Sequence, residues 1–158
     1  MTVLRTVARP MLASMFVVGG INSLRHAKAL APAAQPVSDA LAPLAPQLPV
    51  TPTNVVRAHG AISLLGGLAL ATGRFPRLAA LLLAGNLVPT TVQGHKFWTE
   101  SDPAARSNQQ VHFFKNLSMI GGLLMSTLDP DPHKKILVRR AKDKVVEAKD
   151  TVAAQISR

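Results

Sequence analysis

The sequence predicts an all-α membrane protein: a four-transmembrane-helix bundle with up-down-up-down topology, followed by an amphipathic cytoplasmic C-terminal helix. Three observations support this class. Four apolar segments each approach the length that crosses the hydrocarbon core of a bilayer. Charged residues are concentrated in the ends and connections of the chain. Basic residues are more numerous on one side of the four predicted spans than on the other, as the positive-inside rule requires.

The first predicted transmembrane helix covers residues 4–24. Pro10 suits the first turn of a helix, because its missing N–H would have no partner there. A basic start ahead of a short apolar run is also typical of a cleaved signal peptide, which is the alternative. An uncleaved helix is favoured because Gly19, Asn22 and His26 continue one helical face beyond the apolar run.

An extracytoplasmic loop is predicted at residues 27–53, which hold six of the twelve prolines and therefore cannot form one long helix. The second and third transmembrane helices follow at residues 55–72 and 76–93. Gly73 and Pro76 separate these two helices within a few residues. So short a connection requires an antiparallel hairpin.

A second extracytoplasmic loop is predicted at residues 95–110, and the fourth helix at residues 111–128. This helix carries His112, Lys115 and Asn116 at i, i+3 and i+4, which places them on one face. Polar groups that face lipid are costly, so we expect this face to turn toward other protein.

Residues 1–128 are thus predicted to form the transmembrane domain, and residues 129–158 a cytoplasmic basic tail. Apolar residues recur in the tail at roughly helical spacing. This pattern predicts an amphipathic helix that lies on an anionic membrane surface or on a partner protein. The basic residues assigned to that contact are Lys134, Lys135, Arg139 and Arg140.

The basic residues also predict that both termini are cytoplasmic. Of the basic residues near the predicted spans, eight lie on the side of the termini: Arg5, Arg9, Arg74, Arg77, Lys134, Lys135, Arg139 and Arg140. Four lie in the opposite loops: Arg25, Lys28, Lys96 and Arg106. The formal charge of +10 would also suit a nucleic-acid partner. The basic residues flank apolar segments and form no continuous stripe, so no nucleic-acid partner is expected.

Polar residues within the predicted spans concentrate in the outer half of the bundle. Three interpretations compete: hydrogen bonds that tie the helices together, a pocket for an anionic or quinone-like head group, and a metal site. A metal site is the weakest, because no histidine pair has i, i+4 spacing or a nearby acidic ligand. The residues of the hypothetical pocket are Asn22, His26, Arg57, His59, Asn86, Gln93, His95, His112, Lys115 and Asn116.

No residue is predicted to be catalytic. The chain has no cysteine, which excludes thiol chemistry by this chain. Ser14, Ser63 and Ser118 show no partnership with a histidine and an acid, as nucleophilic catalysis would need.

Three motifs resemble those of the DoxX family. The fourth helix, HFFKNLSMIGGLLM, resembles a His/Phe-led segment that continues into a K-N-L and G-G-L-L run. The second helix and its turn, GAISLLGGLALATGRFPRLAALLLA, are similar to the family's G-G, G-x-x-x-R and A-A-L pattern. Arg9 and the following MLASMFVVGGINSLRHAK resemble its first helix. The resemblance covers about residues 9–128, and it departs from the family at Arg57-Ala58-His59, where many members carry an acidic residue.

The resemblance implies a four-helix protein of the bacterial plasma membrane. Relatives are associated with thiosulfate:quinone oxidoreduction, or with assemblies that link superoxide dismutase and a sulfurtransferase. The resemblance therefore implies a non-catalytic subunit or anchor of an oxidoreductase or stress-response complex, with lipid and other membrane or soluble subunits as partners. The alternative is a quinone- or lipid-binding redox subunit that uses the polar pocket. No cofactor is expected, although a quinone would fit.

Overall fold

The structure is a computed structural model that describes residues 2–128. These residues form helices and turns with no strand among them, so the predicted all-α class is confirmed. The α-helices are α1 (Thr2–Arg25), α2 (Ala27–Leu30), α3 (Gln35–Leu41), α4 (Pro52–Thr72), α5 (Pro76–Gly94) and α6 (Pro103–Thr127). Short 3₁₀ turns cover Ala31–Ala34, Ala42–Leu44 and Phe97–Thr99. The tail contact assigned to Lys134, Lys135, Arg139 and Arg140 lies outside the described residues.

The largest differences from the predicted boundaries are at the start of α6 and in the proline-rich stretch. α6 begins at Pro103, not at residue 111, because the Asp102 carboxylate accepts a hydrogen bond from the Ala105 backbone N–H at 2.8 Å. An acidic N-cap followed by proline at the first helical position is a strong start signal. The predicted loop at 95–110 is shorter for the same reason. The proline-rich stretch at 27–53 is also partly helical, since it contains α2 and α3.

The connection between α4 and α5 is a tight turn. Gly73 ends α4 in the left-handed region, with φ of 71°, and its N–H donates to the Leu70 carbonyl. Phe75 also has a positive φ, 50°, and Pro76 opens α5 directly after it. Because the turn is so short, α4 and α5 run antiparallel.

α1 packs against α4 through glycines at backbone-to-backbone distance. A Cβ atom placed on Gly20 would lie 2.7 Å from the Leu64 nitrogen and 2.8 Å from the Gly60 oxygen. Further along, Gly67 of α4 lies against Phe16 and Val17 of α1. Later residues of α1 therefore meet earlier residues of α4, and these two helices are antiparallel. Small residues allow this close approach.

The buried core lies where α1, α4, α5 and α6 meet. Leu70, Leu83 and Leu123 are fully buried there, one from each of the last three of these helices. Phe16 of α1 packs into the same cluster. Toward the other end of the helices the core gives way to polar side chains, which form the candidate site.

The outside of the helices is strongly apolar. Two helices, Val3–Arg25 and Pro52–Thr72, are long and apolar enough to cross a membrane. Only 17% and 28% of their apolar stretches are buried within the protein. A core helix of a water-soluble domain would be mostly buried, so these faces suit a lipid environment.

Candidate functional site

The four long helices surround a cavity of about 170 Å³. α1, α4, α5 and α6 each contribute side chains to its wall, and the residue just after α5 adds an imidazole. The polar lining residues are Ser23, His59, Ser63, Asn86, His95, Lys115 and Asn116. The remaining lining residues are Met15, Phe16, Gly19, Leu87 and Met119. The wall therefore combines an apolar side with a cluster of hydrogen-bonding groups.

Asn86 is the centre of the hydrogen bonds between α4 and α5. Its amide nitrogen donates to the Ser63 hydroxyl at 2.9 Å and to the His59 carbonyl at 3.1 Å. Its amide oxygen accepts from Nδ1 of His59 at 3.1 Å. His59 and Ser63 are four residues apart and so share one face of α4. One asparagine thereby satisfies three groups on the neighbouring helix.

These bonds fix the tautomer of His59. The Asn86 oxygen can only accept, so Nδ1 of His59 carries the proton and Nε2 keeps its lone pair. His95 has the same arrangement, because its Nδ1 lies 2.7 Å from the Gln109 amide oxygen of α6. Both histidines line the cavity, and each has an Nε2 able to accept a hydrogen bond.

Lys115 and His112 form a second pair at the edge of the cavity. The ammonium group of Lys115 donates to Nδ1 of His112 at 3.3 Å. The His112 ring stacks on His95, with ring centroids 5.2 Å apart and planes 19° from parallel. Lys115 is the one cationic residue of the lining, and none of the lining residues is acidic.

Asn116 is one of the buried polar residues of the cavity. It is only 5% exposed, and it lines the cavity. An amide can both donate and accept hydrogen bonds. Because Asn116 lines the cavity, its amide could hydrogen-bond to a bound molecule.

The structure brings together five of the ten predicted pocket residues: His59, Asn86, His95, Lys115 and Asn116. His112 lies beside them through its stack on His95. The other four, Asn22, His26, Arg57 and Gln93, are not part of the cavity wall. 

The rotation of each helix explains these positions. Successive residues of a helix differ by about 100°, so Arg57, two residues before His59, points to the other side of α4 and is exposed. On α1 the cavity face is Met15, Gly19 and Ser23, at intervals of four. Asn22 and His26 belong to an exposed face, where Nδ1 of His26 donates to the Asn22 carbonyl at 3.1 Å.

Some residues of the site escaped the sequence prediction. Ser23, Met15 and Met119 line the cavity, and Gln109 orients His95. The four-residue spacing of Met15, Gly19 and Ser23 was the available signal on α1. Gln109 carried no such signal, because its contact depends on the early start of α6. In residues 2–128, no three His, Cys, Asp or Glu side chains converge as a metal site would require.

Comparison with protein families identifies the chain. The DoxX family matches residues 4–96, more than half of its length. The chain belongs to the DoxX family. It is therefore a membrane protein of the DoxX type, as the sequence motifs predicted. The matched stretch contains α1, α4, α5 and His95, while the α6 wall of the cavity lies beyond it. No curated protein and no solved structure matches the chain.

Proposed function

We propose that this DoxX-family protein is a ligand-binding membrane subunit that holds a quinone-like head group in the cavity between its four long helices. The observation that carries the proposal is a cavity lined by the buried amide of Asn116 beside the only cationic residue of the lining, Lys115. Polar and ionisable groups within membrane-spanning segments are costly to bury, so they commonly mark a ligand site.

The chemistry of the wall favours a head group with carbonyl or anionic oxygens. Lys115 and the Asn116 amide are hydrogen-bond donors, while the lining holds no carboxylate that would repel an oxygen atom. Phe16, Leu87 and Met119 supply apolar surface for a ring. A water molecule occupies about 30 Å³ of liquid, so 170 Å³ suits a single substituted ring.

A quinone also exchanges protons when it changes redox state. The lone pairs on Nε2 of His59 and His95 are suitable acceptors for hydroxyl groups of a reduced ring. We assign the electron transfer to a partner subunit of an oxidoreductase or stress-response complex, because this chain has no cysteine thiol. In this proposal the DoxX protein provides the site in the membrane and the partner provides the electrons.

We further propose that α1, α4, α5 and α6 all span the bacterial plasma membrane, with both termini cytoplasmic. Support comes from exposed apolar residues on all four helices, including Met11, Leu65, Leu81 and Met125, each at least half exposed. The eight-to-four distribution of basic residues supports the orientation. A cavity bounded by Asn116, His95 and Ser23 would then lie in the outer half of the bundle.

The test of the ligand proposal is Asn116→Leu. If Asn116 serves a ligand and not the fold, an apolar residue of similar size should leave the free energy of unfolding unchanged or raise it, because burying an apolar side chain costs less than burying an amide. The same change should weaken binding of a benzoquinone analogue to the protein in nanodiscs tenfold or more. A structural asparagine would instead lose stability on substitution.

A cavity-filling variant provides an independent check. A Cβ atom on Gly19 meets nothing within 4 Å, so Gly19→Leu should extend into the cavity and weaken quinone binding. Gly85→Leu is the matched control, because Gly85 is equally open and lies outside the cavity wall. Equal quinone affinity in Gly19→Leu and Gly85→Leu would refute the proposed site.

A further inference from the structure

The lining residues differ in exposure around the cavity wall. Those contributed by α4 and α5 are buried or half-buried: Ser63 is 4% exposed and Leu87 is 9% exposed, while His59 and Asn86 are half-buried. On the opposite side, Met15 is 48% exposed, and Gly19 and Lys115 are also exposed. The exposed lining residues belong to α1 and α6. The mouth of the cavity therefore lies between these two helices.

α1 and α6 are also the pair of long neighbours that make the least contact. They approach each other at Leu12 and Gly122, where a Cβ on Gly122 would lie 3.7 Å from a Leu12 methyl group. Gly19 is about two helical turns from Leu12, and the space above its Cα is empty to 4 Å. The two helices thus meet near one end and leave a gap beside Gly19.

A shallow groove continues outward from this gap along α6. Val111, Phe114 and Ser118 line it, and they lie on one face of the helix at roughly i, i+3, i+7 spacing. Lys115 lines both the groove and the cavity. The two spaces are therefore adjacent, with the ammonium group at their junction. The apolar surface of the groove comes from Val111, which is 64% exposed, and Phe114, which is 50% exposed. Polar lining comes from Ser107, Gln110, Lys115 and Ser118.

We propose that the ligand is a single-chain amphiphile that enters sideways from the bilayer through the mouth between α1 and α6. Its oxygen-bearing head group occupies the cavity, its hydrocarbon chain lies along the Val111–Phe114–Ser118 groove, and Lys115 holds the junction. This inference rests on the proposed function, and it adds the route of access and the requirement for a chain. Both a quinone with an isoprenoid chain and a fatty acid have this chemistry.

The test separates the head site from the chain site. Protein in nanodiscs is titrated with a decyl-substituted benzoquinone and with the same ring lacking the chain, and binding is measured by scintillation proximity. Val111→Phe should obstruct the groove and weaken decyl-benzoquinone binding tenfold or more, while leaving the affinity for the bare ring unchanged. Val92→Phe is the control, because Val92 is 43% exposed on α5 and lines neither space.

Selective loss of the decyl ligand in Val111→Phe, with Val92→Phe like the parent protein, supports the proposal. Unchanged decyl binding in Val111→Phe, or equal losses for both ligands, overturns it. Asn116→Leu separates the head site from the chain site. If this variant loses binding of the bare ring and Val111→Phe has no effect on either ligand, the head site is supported and the chain site is refuted. If Asn116→Leu binds both ligands normally, the head site and this inference fail together.

Decanoate distinguishes the two sources of such a ligand. Stronger binding of decyl-benzoquinone than of decanoate identifies the quinone class, and the reverse identifies a fatty acid. Either preference keeps the lateral route, provided that it is lost in Val111→Phe. Equal binding of decanoate to the parent protein and to Val111→Phe shows that decanoate only partitions into the lipid, and this result overturns the fatty-acid arm.

Discussion

The contact between α1 and α4 makes a sharp prediction for two adjacent glycines. Gly20→Ala would place a methyl carbon 2.7 Å from the Leu64 nitrogen and 2.8 Å from the Gly60 oxygen, both of them backbone atoms. Ordinary contact begins at 3.4 Å, so α1 and α4 must separate. A gap of about 0.5–1 Å already forfeits a quarter to a half of the dispersion energy of the atom pairs across it.

We expect Gly20→Ala to lower the free energy of unfolding by about 1–3 kcal/mol, the usual cost of overpacking. Gly19→Ala is the matched control, because its new methyl group meets nothing within 4 Å. It should be neutral, or more stable by about 0.5–1 kcal/mol through the lower entropy of alanine in the unfolded chain. The two variants have the same composition and differ only in the direction of one methyl group.

The assay is reversible unfolding in mixed micelles, followed by the fluorescence of Trp98, the single tryptophan of the chain. Gly60→Ala should behave like Gly20→Ala, since its Cβ would lie 3.1 Å from the Gly20 carbonyl oxygen. The double variant Gly20→Ala/Gly60→Ala should lose less stability than the sum of the two single variants, because both methyl groups separate the same pair of helices. If Gly20→Ala were as stable as Gly19→Ala, the backbone contact described here would be incorrect.

Two further predictions concern the core and the interhelical hydrogen bonds. Leu83→Ala should lower the free energy of unfolding by about 2–5 kcal/mol, because Leu83 is fully buried. Leu82→Ala is the control and should change the free energy of unfolding little, because Leu82 is 51% exposed. Similar losses of stability in the two variants would contradict the assigned core. Asn86→Ala should lower the free energy of unfolding by about 1–2 kcal/mol, because it breaks three hydrogen bonds to α4. Thr90→Ala should have a smaller effect, because it removes only a hydrogen bond to the Leu87 carbonyl of its own helix. Unfolding in mixed micelles measures the stability of both pairs of variants. Equal losses of stability in Asn86→Ala and Thr90→Ala would contradict the assignment of Asn86 as the residue that holds α4 and α5 together.

The positions of the helices followed from hydropathy, but some ends and rotations did not. Hydropathy locates where a segment leaves the apolar phase, which is a different question from where its backbone stops being helical. α6 extends into a polar stretch because Asp102 and Pro103 start it, and these signals lie outside the apolar run. α4 ends at Gly73 as predicted, since a left-handed glycine is itself a sequence signal.

The rotation of α1 shows why only part of the predicted set of residues lines the cavity. The larger polar residues Asn22 and His26 were expected to face inward, because polar groups avoid lipid. In the structure, the packing of α1 places both residues on an exposed face. At Gly20 the backbone of α4 lies so close that no Cβ atom would fit, and with this face against α4, Gly19 and Ser23 lie at the cavity. On α4 and α5, His59 and Asn86 do line the cavity, because they lie on faces that packing turns inward.

The three-residue turn between α4 and α5 has a consequence for how the chain is made. In the proposed four-span arrangement, we expect helices joined by so short a link to enter the membrane together as one hairpin. α5 carries Asn86 and Pro89 near its middle, and an unpaired asparagine is costly in a lone helix surrounded by lipid. Because His59 and Ser63 belong to the same hairpin, Asn86 would have its hydrogen-bond partners at the time of insertion. α1, inserted earlier and joined to α4 by a long connection, then closes against a preformed partner.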